Sequence, residues 1–139
     1  MVNVRMTSQL TLKLQDSQLA PDLLITRFQE WKLRGEYGSY WFGQSKTEND
    51  LTHTHMAPVT PGEAKDQWDY FWAKRQPHRR RSDCYALYAY EKNYGYLLID
   101  VIFDPGAHNL WKPEAKQQLS NYEAVADNFI FAERSEEHT

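Results

Sequence analysis

The residues best suited to chemistry lie between Lys74 and His108, where a basic segment leads into a tyrosine-rich one. Residues 74–81 carry five lysine or arginine side chains and no acid. Guanidinium groups form paired, charge-assisted hydrogen bonds with phosphate and can stabilise the charge that develops when an RNA strand is cleaved. This basic segment therefore predicts contact with a nucleic-acid backbone. Docking of an acidic partner and a solvated basic loop are the alternatives.

A second group of candidates lies on the short segment Leu51–Met56, whose composition favours a strand. Residues two apart on a strand share a face, so His53 and His55 are predicted to lie together. Two such imidazoles can exchange protons near neutral pH, or they can be hydrogen-bonded edge residues without a chemical role. Zinc needs a third protein ligand, and Cys84, His78 and His108 have no ligand spacing.

The strand that follows the basic segment is unusually rich in tyrosine. Aromatic rings on a sheet stack unpaired bases, at about 1–3 kcal/mol for each base. Tyrosine is also an ordinary strand residue, so at least two of the five are expected in the core. The five are Tyr85, Tyr88, Tyr90, Tyr94 and Tyr96.

Composition limits the class of protein. A chain of 139 residues is expected to form one domain, here residues 1–132, followed by a polar, acidic tail at 133–139. The net charge is −3, and it becomes −8 without the five cations of the basic segment, which indicates a local anion site on an acidic body. One cysteine, no signal peptide and no long apolar run predict a cytoplasmic protein without a membrane anchor. Glycine loops that hold phosphates are absent, and we predict no cofactor.

Hydrophobic periodicity predicts a small α+β domain with a mostly antiparallel sheet packed with helices, in the order β-α-β-β-β-α. A loop or short helix is expected from Gly35 to Asp50, and a helical turn or long functional loop from Glu63 to Trp72. Asp100 interrupts an apolar strand, so it is expected to pair with an arginine of the basic segment or to lie at a wet edge. The predicted elements are a bent strand Val2–Leu14, a helix Pro21–Arg34, a strand Leu51–Met56, a hairpin of Cys84–Glu91 and Tyr96–Phe103, and a helix from near Pro113 to Phe131.

Several short stretches, taken in their order, resemble YafO-type toxins of type II toxin–antitoxin modules, distant members of the RelE/ParE superfamily. The resemblance covers roughly residues 4–131. Four features depart from the family pattern: the arginine triplet, the tyrosine-rich strand, the longer loop at 57–77 and the acidic tail. The resembling stretches are Phe28–Gly35, Phe42-Gly43, His53-Thr54-His55, Ser82-Asp83 with Leu87, Leu97-Leu98-Ile99 and Pro105-Gly106-Ala107-His108.

The resemblance implies a ribosome-dependent mRNA endonuclease that a cognate antitoxin neutralises. In such enzymes the substrate 2′-hydroxyl attacks the adjacent phosphate without a metal ion, which requires a base, an acid and a cationic clamp. The implied catalytic candidates are His53, His55, His78, Arg79, Arg81 and Tyr88. The implied nucleic-acid contacts are Lys74, Arg75, Arg80, Tyr85 and His108.

Two other functions fit the same residues. A toxin of the same fold can act on DNA or DNA gyrase without cutting RNA. A non-catalytic nucleic-acid-binding module would use the same cations and show only salt-dependent binding.

Overall fold

The computed structural model describes residues 2–35 and 38–137, with side chains described as far as Phe131. Its centre is a five-stranded sheet in the order β1-β5-β4-β3-β2. Only β1 and β5 pair in parallel; the other three pairs are antiparallel. The predicted α+β class with a mostly antiparallel sheet is confirmed. The strands are β1 (Val4–Met6), β2 (Phe42–Glu48), β3 (Leu51–Met56), β4 (Tyr85–Glu91) and β5 (Gly95–Ile102).

Helices cover both faces of this sheet. One core cluster fills the space between the sheet and the first two helices, and includes Leu14, Phe28 and Tyr88. A second cluster, which includes Leu87 and Ile130, lies between the other face and the last helix. Because β4 and β5 contribute to both clusters, the hairpin is covered on both sides. The helices are α1 (Ser8–Gln15), α2 (Pro21–Arg34), α3 (Glu63–Ala73) and α4 (Lys116–Glu137).

The predicted first strand is wrong beyond Met6, because the chain turns there into α1. The Thr7 hydroxyl accepts the backbone N–H of Leu10 at 3.2 Å, which caps the helix. Leu10 and Leu14 are then one helical turn apart and fully buried, whereas Leu12 is 64% exposed. The spacing of these leucines fits a strand and a helix equally, so the cap decides between them.

The segment predicted as a loop or short helix between Gly35 and Asp50 contains the edge strand β2 instead. Its last residues, from Lys46 to Glu48, are exposed, and strand edges commonly carry such polar side chains. Residues 36–37 lie outside the described part of the chain.

The helix predicted loosely at Glu63–Trp72 is present as α3, with Trp68 fully buried. The last helix is also confirmed, and its buried face carries Ala126 and Ile130 as expected. It continues to Glu137, so its backbone includes most of the segment interpreted as a tail, and residues 138–139 are not described.

Asp100 does not pair with the basic segment. Its carboxylate lies 3.0 Å from the Lys13 ammonium and accepts a hydrogen bond from the Tyr122 hydroxyl. The acid inside this apolar strand is therefore satisfied by α1 and α4.

Candidate active site

His53 and His55 lie on the face of the sheet that α4 covers, where β3 pairs with β4. Their ring centroids are 5.9 Å apart. Both rings contact Tyr85 on the neighbouring strand, at 5.0 and 4.9 Å between centroids. The sheet register thus assembles an aromatic and imidazole cluster from residues far apart in sequence.

Burial favours the neutral form of both histidines. Burial, and secondarily the charge of His55, lowers the pKa of His53 to about 4. Burial also lowers the pKa of His55, against an opposing contribution from the Ser82 backbone. His53 is therefore neutral at pH 7, and its pKa lies too far below neutrality for an efficient general base.

Ser82 fixes the orientation of the His55 ring. The ring atom Nδ1 lies 2.8 Å from both the backbone N and the backbone O of Ser82. Nδ1 can accept from the N–H or donate to the carbonyl, so the same backbone unit can hold either neutral tautomer. In each case Nε2 is the ring nitrogen left for a substrate.

Asp83 and His108 form an acid–imidazole pair at the end of the same hairpin. Asp83 Oδ1 lies 2.7 Å from Nδ1 of His108, and the His108 ring is well exposed. Partial burial raises the pKa of Asp83, but hydrogen bonds from the backbone N–H groups of His108 and Gly106, together with His108 itself, hold that pKa below its ordinary value. An ionised carboxylate in this position orients the imidazole.

Asp83 connects this pair to the histidine cluster. Its charge acts on His55 and also on Tyr85. Trp111, on the same 3₁₀ turn as His108, contacts the His53 ring at 4.7 Å. Its indole Nε1 donates to the Tyr85 hydroxyl at 3.1 Å, which fixes the ring. Trp111 is 42% exposed while Tyr85 is 4% exposed, so the indole is the better surface for stacking a base.

The basic segment borders this cluster, and most of its side chains reach solvent. Arg81 is exposed, and its charge acts on His55. His78 and Arg79 are exposed on the 3₁₀ turn Pro77–Arg79. Lys74 and Arg75 are exposed where α3 ends. The structure therefore brings Arg81 to the cluster and leaves the other exposed members of the segment farther along the chain.

Arg80 does not present its guanidinium to solvent, contrary to its predicted role as a nucleic-acid contact. It is 1% exposed, and Nη1 donates to the carbonyls of Ser39 and Tyr40 at 2.8 and 3.0 Å. Its guanidinium lies 5.3 Å from the ring centroid of Trp68 and 5.2 Å from that of Trp72. Arg80 therefore fixes the basic segment to the rest of the domain. In the sequence, three successive arginines give no indication of which one is buried.

Tyr88 lies on the other face of the sheet from His55. It is 5% exposed in the core beneath α2, and its hydroxyl accepts from the Lys32 ammonium at 3.0 Å. Burial raises its pKa far above the ordinary tyrosine value. The catalytic role predicted for Tyr88 does not fit this position, because a β-strand alternates its side chains between faces.

Sequence reasoning missed Asp83, Ser82 and Trp111 as site residues. The sequence did carry an indication for Asp83. Because β4 pairs with β5, an acid just before β4 comes to lie beside the turn at Pro105–His108. Trp111 carried none, because its role depends on where the 3₁₀ turn Ala107–Trp111 returns over the sheet. Among the residues described, no group of three or more His, Cys, Asp or Glu side chains is placed to hold a metal ion. No helix in the described ranges is both long and apolar enough to cross a membrane.

Residues 28–131 match the family model described as Toxin YafO, type II toxin-antitoxin system. The chain is thus the toxin of a type II toxin–antitoxin system, a class that implies a cognate antitoxin as its partner.

The match spans well over half of the 139 residues, and the chain belongs to the YafO toxin family. It begins at Phe28, so residues 4–27, which we expected the resemblance to cover, lie outside it. His55, Arg81, Asp83, His108 and Trp111 all lie inside. Comparisons with curated proteins and with solved structures returned no match.

Proposed function

We propose that this toxin is an endoribonuclease that cleaves ribosome-bound mRNA by attack of the substrate 2′-hydroxyl on the adjacent phosphate. The observation that carries the proposal is that His55 Nδ1 lies against the Ser82 backbone, between Arg81 and the Asp83 that binds His108. This set supplies a base, an acid and a cation, which are the groups that the reaction needs.

His55 is the base in this scheme. Its lowered pKa keeps the ring neutral at pH 7, and the tautomer with Nδ1–H donating to the Ser82 carbonyl leaves the Nε2 lone pair outward. Nε2 removes the proton of the 2′-hydroxyl as the new O–P bond forms. His53, with a pKa of about 4, packs behind it and takes no proton at neutral pH.

His108 is the acid. The Asp83 carboxylate accepts from Nδ1–H and stabilises the imidazolium, which gives its Nε2 proton to the departing 5′-oxygen. The P–O5′ bond breaks in the same step. The products are a 2′,3′-cyclic phosphate and a 5′-hydroxyl, so atoms and protons balance without a co-reactant.

Arg81 binds the phosphate between these two groups. Its guanidinium is exposed and acts electrostatically on His55, and a fork of N–H donors suits the extra negative charge of the phosphorane. Trp111 stacks the neighbouring base. Four further side chains contact the mRNA backbone or ribosomal RNA around the site, and the strength of these contacts depends more on charge than on geometry. They are Lys74, Arg75, His78 and Arg79.

Induced expression separates this function from the alternatives. RNA from cells expressing the toxin without its antitoxin is expected to show cuts in translated messages, and His55→Ala or His108→Ala should abolish both the cuts and the growth arrest. Growth arrest with intact transcripts, or with trapped DNA breaks, would instead identify a toxin that acts on DNA or gyrase.

A further inference from the structure

A groove opens on the side of the molecule that faces away from the histidine cluster. It has a volume of about 390 Å³ and lies between the α1–α2 turn, α2, α3 and the loop after β3. Met56, at the end of β3, and Cys84, directly before β4, belong to the core cluster beneath α2. Tyr85, which contacts both histidines, belongs to the cluster beneath α4. The groove and the candidate active site therefore use opposite faces of the sheet.

The surface of the groove is largely apolar and partly open to solvent. Leu19, Met56 and Ala57 form a buried floor. Trp41 and Val59 form walls that are 39% and 51% exposed. Two large apolar side chains that face a concave, solvent-filled space indicate a binding surface more than a packing defect.

The walls are held in place before any partner arrives. The Asp104 carboxylate accepts the backbone N–H groups of Val59 and Thr60, at 2.9 and 3.0 Å, which fixes the loop that carries Val59. On the other side, Trp41 stacks against Tyr40 with ring planes 5° apart. A preformed groove loses little conformational entropy on binding.

The charged side chains that line the groove itself have one sign, while the Asp104 carboxylate lies behind the loop that carries Val59. Among the described residues that line it, Arg27 and Lys65 are the ionisable side chains that carry charge at neutral pH, and both are cations. The Arg27 guanidinium lies 3.5 Å from the Trp41 ring centroid, and burial lowers its pKa. A partly desolvated cation beside apolar walls favours a carboxylate flanked by apolar side chains.

We propose that this groove binds the cognate antitoxin, through a segment that packs apolar side chains against Trp41 and Val59 and pairs a carboxylate with Arg27. The toxin–antitoxin class supplies the partner, and the sign of the groove charges supplies its chemistry. The antitoxin is thus anchored on the face opposite the active site, and any block of the active site requires the rest of the antitoxin to reach around the sheet edge.

The test measures the affinity between the purified toxin and its cognate antitoxin. Val59→Asp and Arg27→Glu are each expected to weaken binding at least tenfold. Val59→Asp places a negative charge against the apolar part of the antitoxin segment, and Arg27→Glu places one against its carboxylate. Leu33→Asp and Lys92→Glu are matched controls, since each makes the corresponding change in charge at an exposed position outside the groove. Both controls should bind like the wild type.

Two further readouts keep the result interpretable. The melting temperature of both groove variants should stay close to that of the wild type, and both should still arrest growth without antitoxin. Weaker binding then reflects the groove and not misfolding. In cells, co-expressed antitoxin should rescue the wild type and both controls but fail to rescue Val59→Asp. Because binding is measured directly, the result does not depend on whether the toxin cleaves RNA.

Three results would overturn the proposal. The first is wild-type antitoxin affinity in both groove variants. The second is a groove variant whose molecular mass in solution, measured without antitoxin, differs from that of the wild type. Such a difference would assign the groove to contact with a second copy of this chain. The third is lost RNA retention with unchanged antitoxin affinity, which would make the groove a nucleic-acid surface.

Discussion

Asp83 Oδ1 lies 2.7 Å from both the backbone nitrogen and the ring Nδ1 of His108, so one carboxylate oxygen fixes both the turn and the imidazole it carries. The other oxygen accepts the backbone N–H of Gly106. The residues that precede β4 and those that follow β5 are thereby locked together. The position of the His108 ring therefore depends on Asp83, a residue that is distant from it in sequence.

Asp83→Asn is expected to reduce RNA cleavage by about 10²-fold, because an amide cannot stabilise the His108 imidazolium. The pH–rate profile should lose the limb that reports the acid. His108→Gln should have a similar effect, and the double variant should be no worse than either single one, because the two side chains act as a unit. Cleavage kinetics of the three variants at several pH values check this. Additive losses would contradict a shared role.

Arg80 and Arg79 should behave oppositely although they are adjacent in one arginine run. Arg80→Met removes two hydrogen bonds to buried carbonyls and the contacts with two indoles, and should lower the free energy of unfolding by about 2–4 kcal/mol. Arg79→Met alters an exposed side chain and should change stability by less than about 0.5 kcal/mol. Urea unfolding measures both. Equal stability of the two variants would refute the structural role of Arg80.

Tyr88 and Trp111 provide a similar contrast for the aromatic residues. Tyr88→Phe loses the hydrogen bond from Lys32 and should cost about 1 kcal/mol of stability while leaving cleavage unchanged. Trp111→Ala removes the exposed ring proposed to stack a base and should weaken RNA binding by about 1–3 kcal/mol. Paired unfolding and RNA-binding titrations distinguish them. A loss of cleavage in Tyr88→Phe would restore the catalytic role predicted for that residue.

His53 should make the fold sensitive to acid. Its pKa is about 4 in the folded protein against 6.5 as the ordinary value, so the unfolded chain takes up the proton first as the pH falls. Stability attributable to His53 is present above pH 6.5, declines toward pH 4 and changes no further below that. Because the ring is partly exposed and solvent screens it, the loss should be about 1–2 kcal/mol.

Replacing His53 checks this sign. His53→Asn should flatten the stability profile between pH 4 and pH 6.5 relative to that of the wild type. Denaturant unfolding across the pH range makes the comparison. A steeper decline in His53→Asn would contradict the buried, neutral imidazole.

The hairpin, α2 and the shared face of His53 and His55 could be predicted because strand alternation and helical periodicity are local properties. α1 could not, since Leu10, Leu12 and Leu14 fit either period and only the Thr7 cap decides. β2 was missed because a polar edge strand has no apolar alternation to read. The burial of Arg80 and Tyr88 could not be predicted, because residue type suggests chemistry while burial depends on which side of the chain faces the core.

The site illustrates the same limit. The candidates His55, Arg81 and His108 could be named from residue type, but their association depends on Asp83 and on the antiparallel register of β3 with β4. Long-range pairing of that kind is set by tertiary packing, which the local sequence does not encode.

The most direct test is the cleavage of a defined mRNA on programmed ribosomes by purified toxin, with the ends of the products identified chemically. The wild type is expected to leave a 2′,3′-cyclic phosphate and a 5′-hydroxyl, and His55→Ala, Arg81→Ala and Asp83→Asn should each reduce the rate by about 10²-fold or more. Lys92→Ala serves as the control and should retain most activity, because Lys92 is exposed in the turn between β4 and β5, at the opposite end of the hairpin from Asp83. Intact mRNA with wild-type toxin, or products with a 5′-phosphate and a 3′-hydroxyl, would contradict the proposed active site.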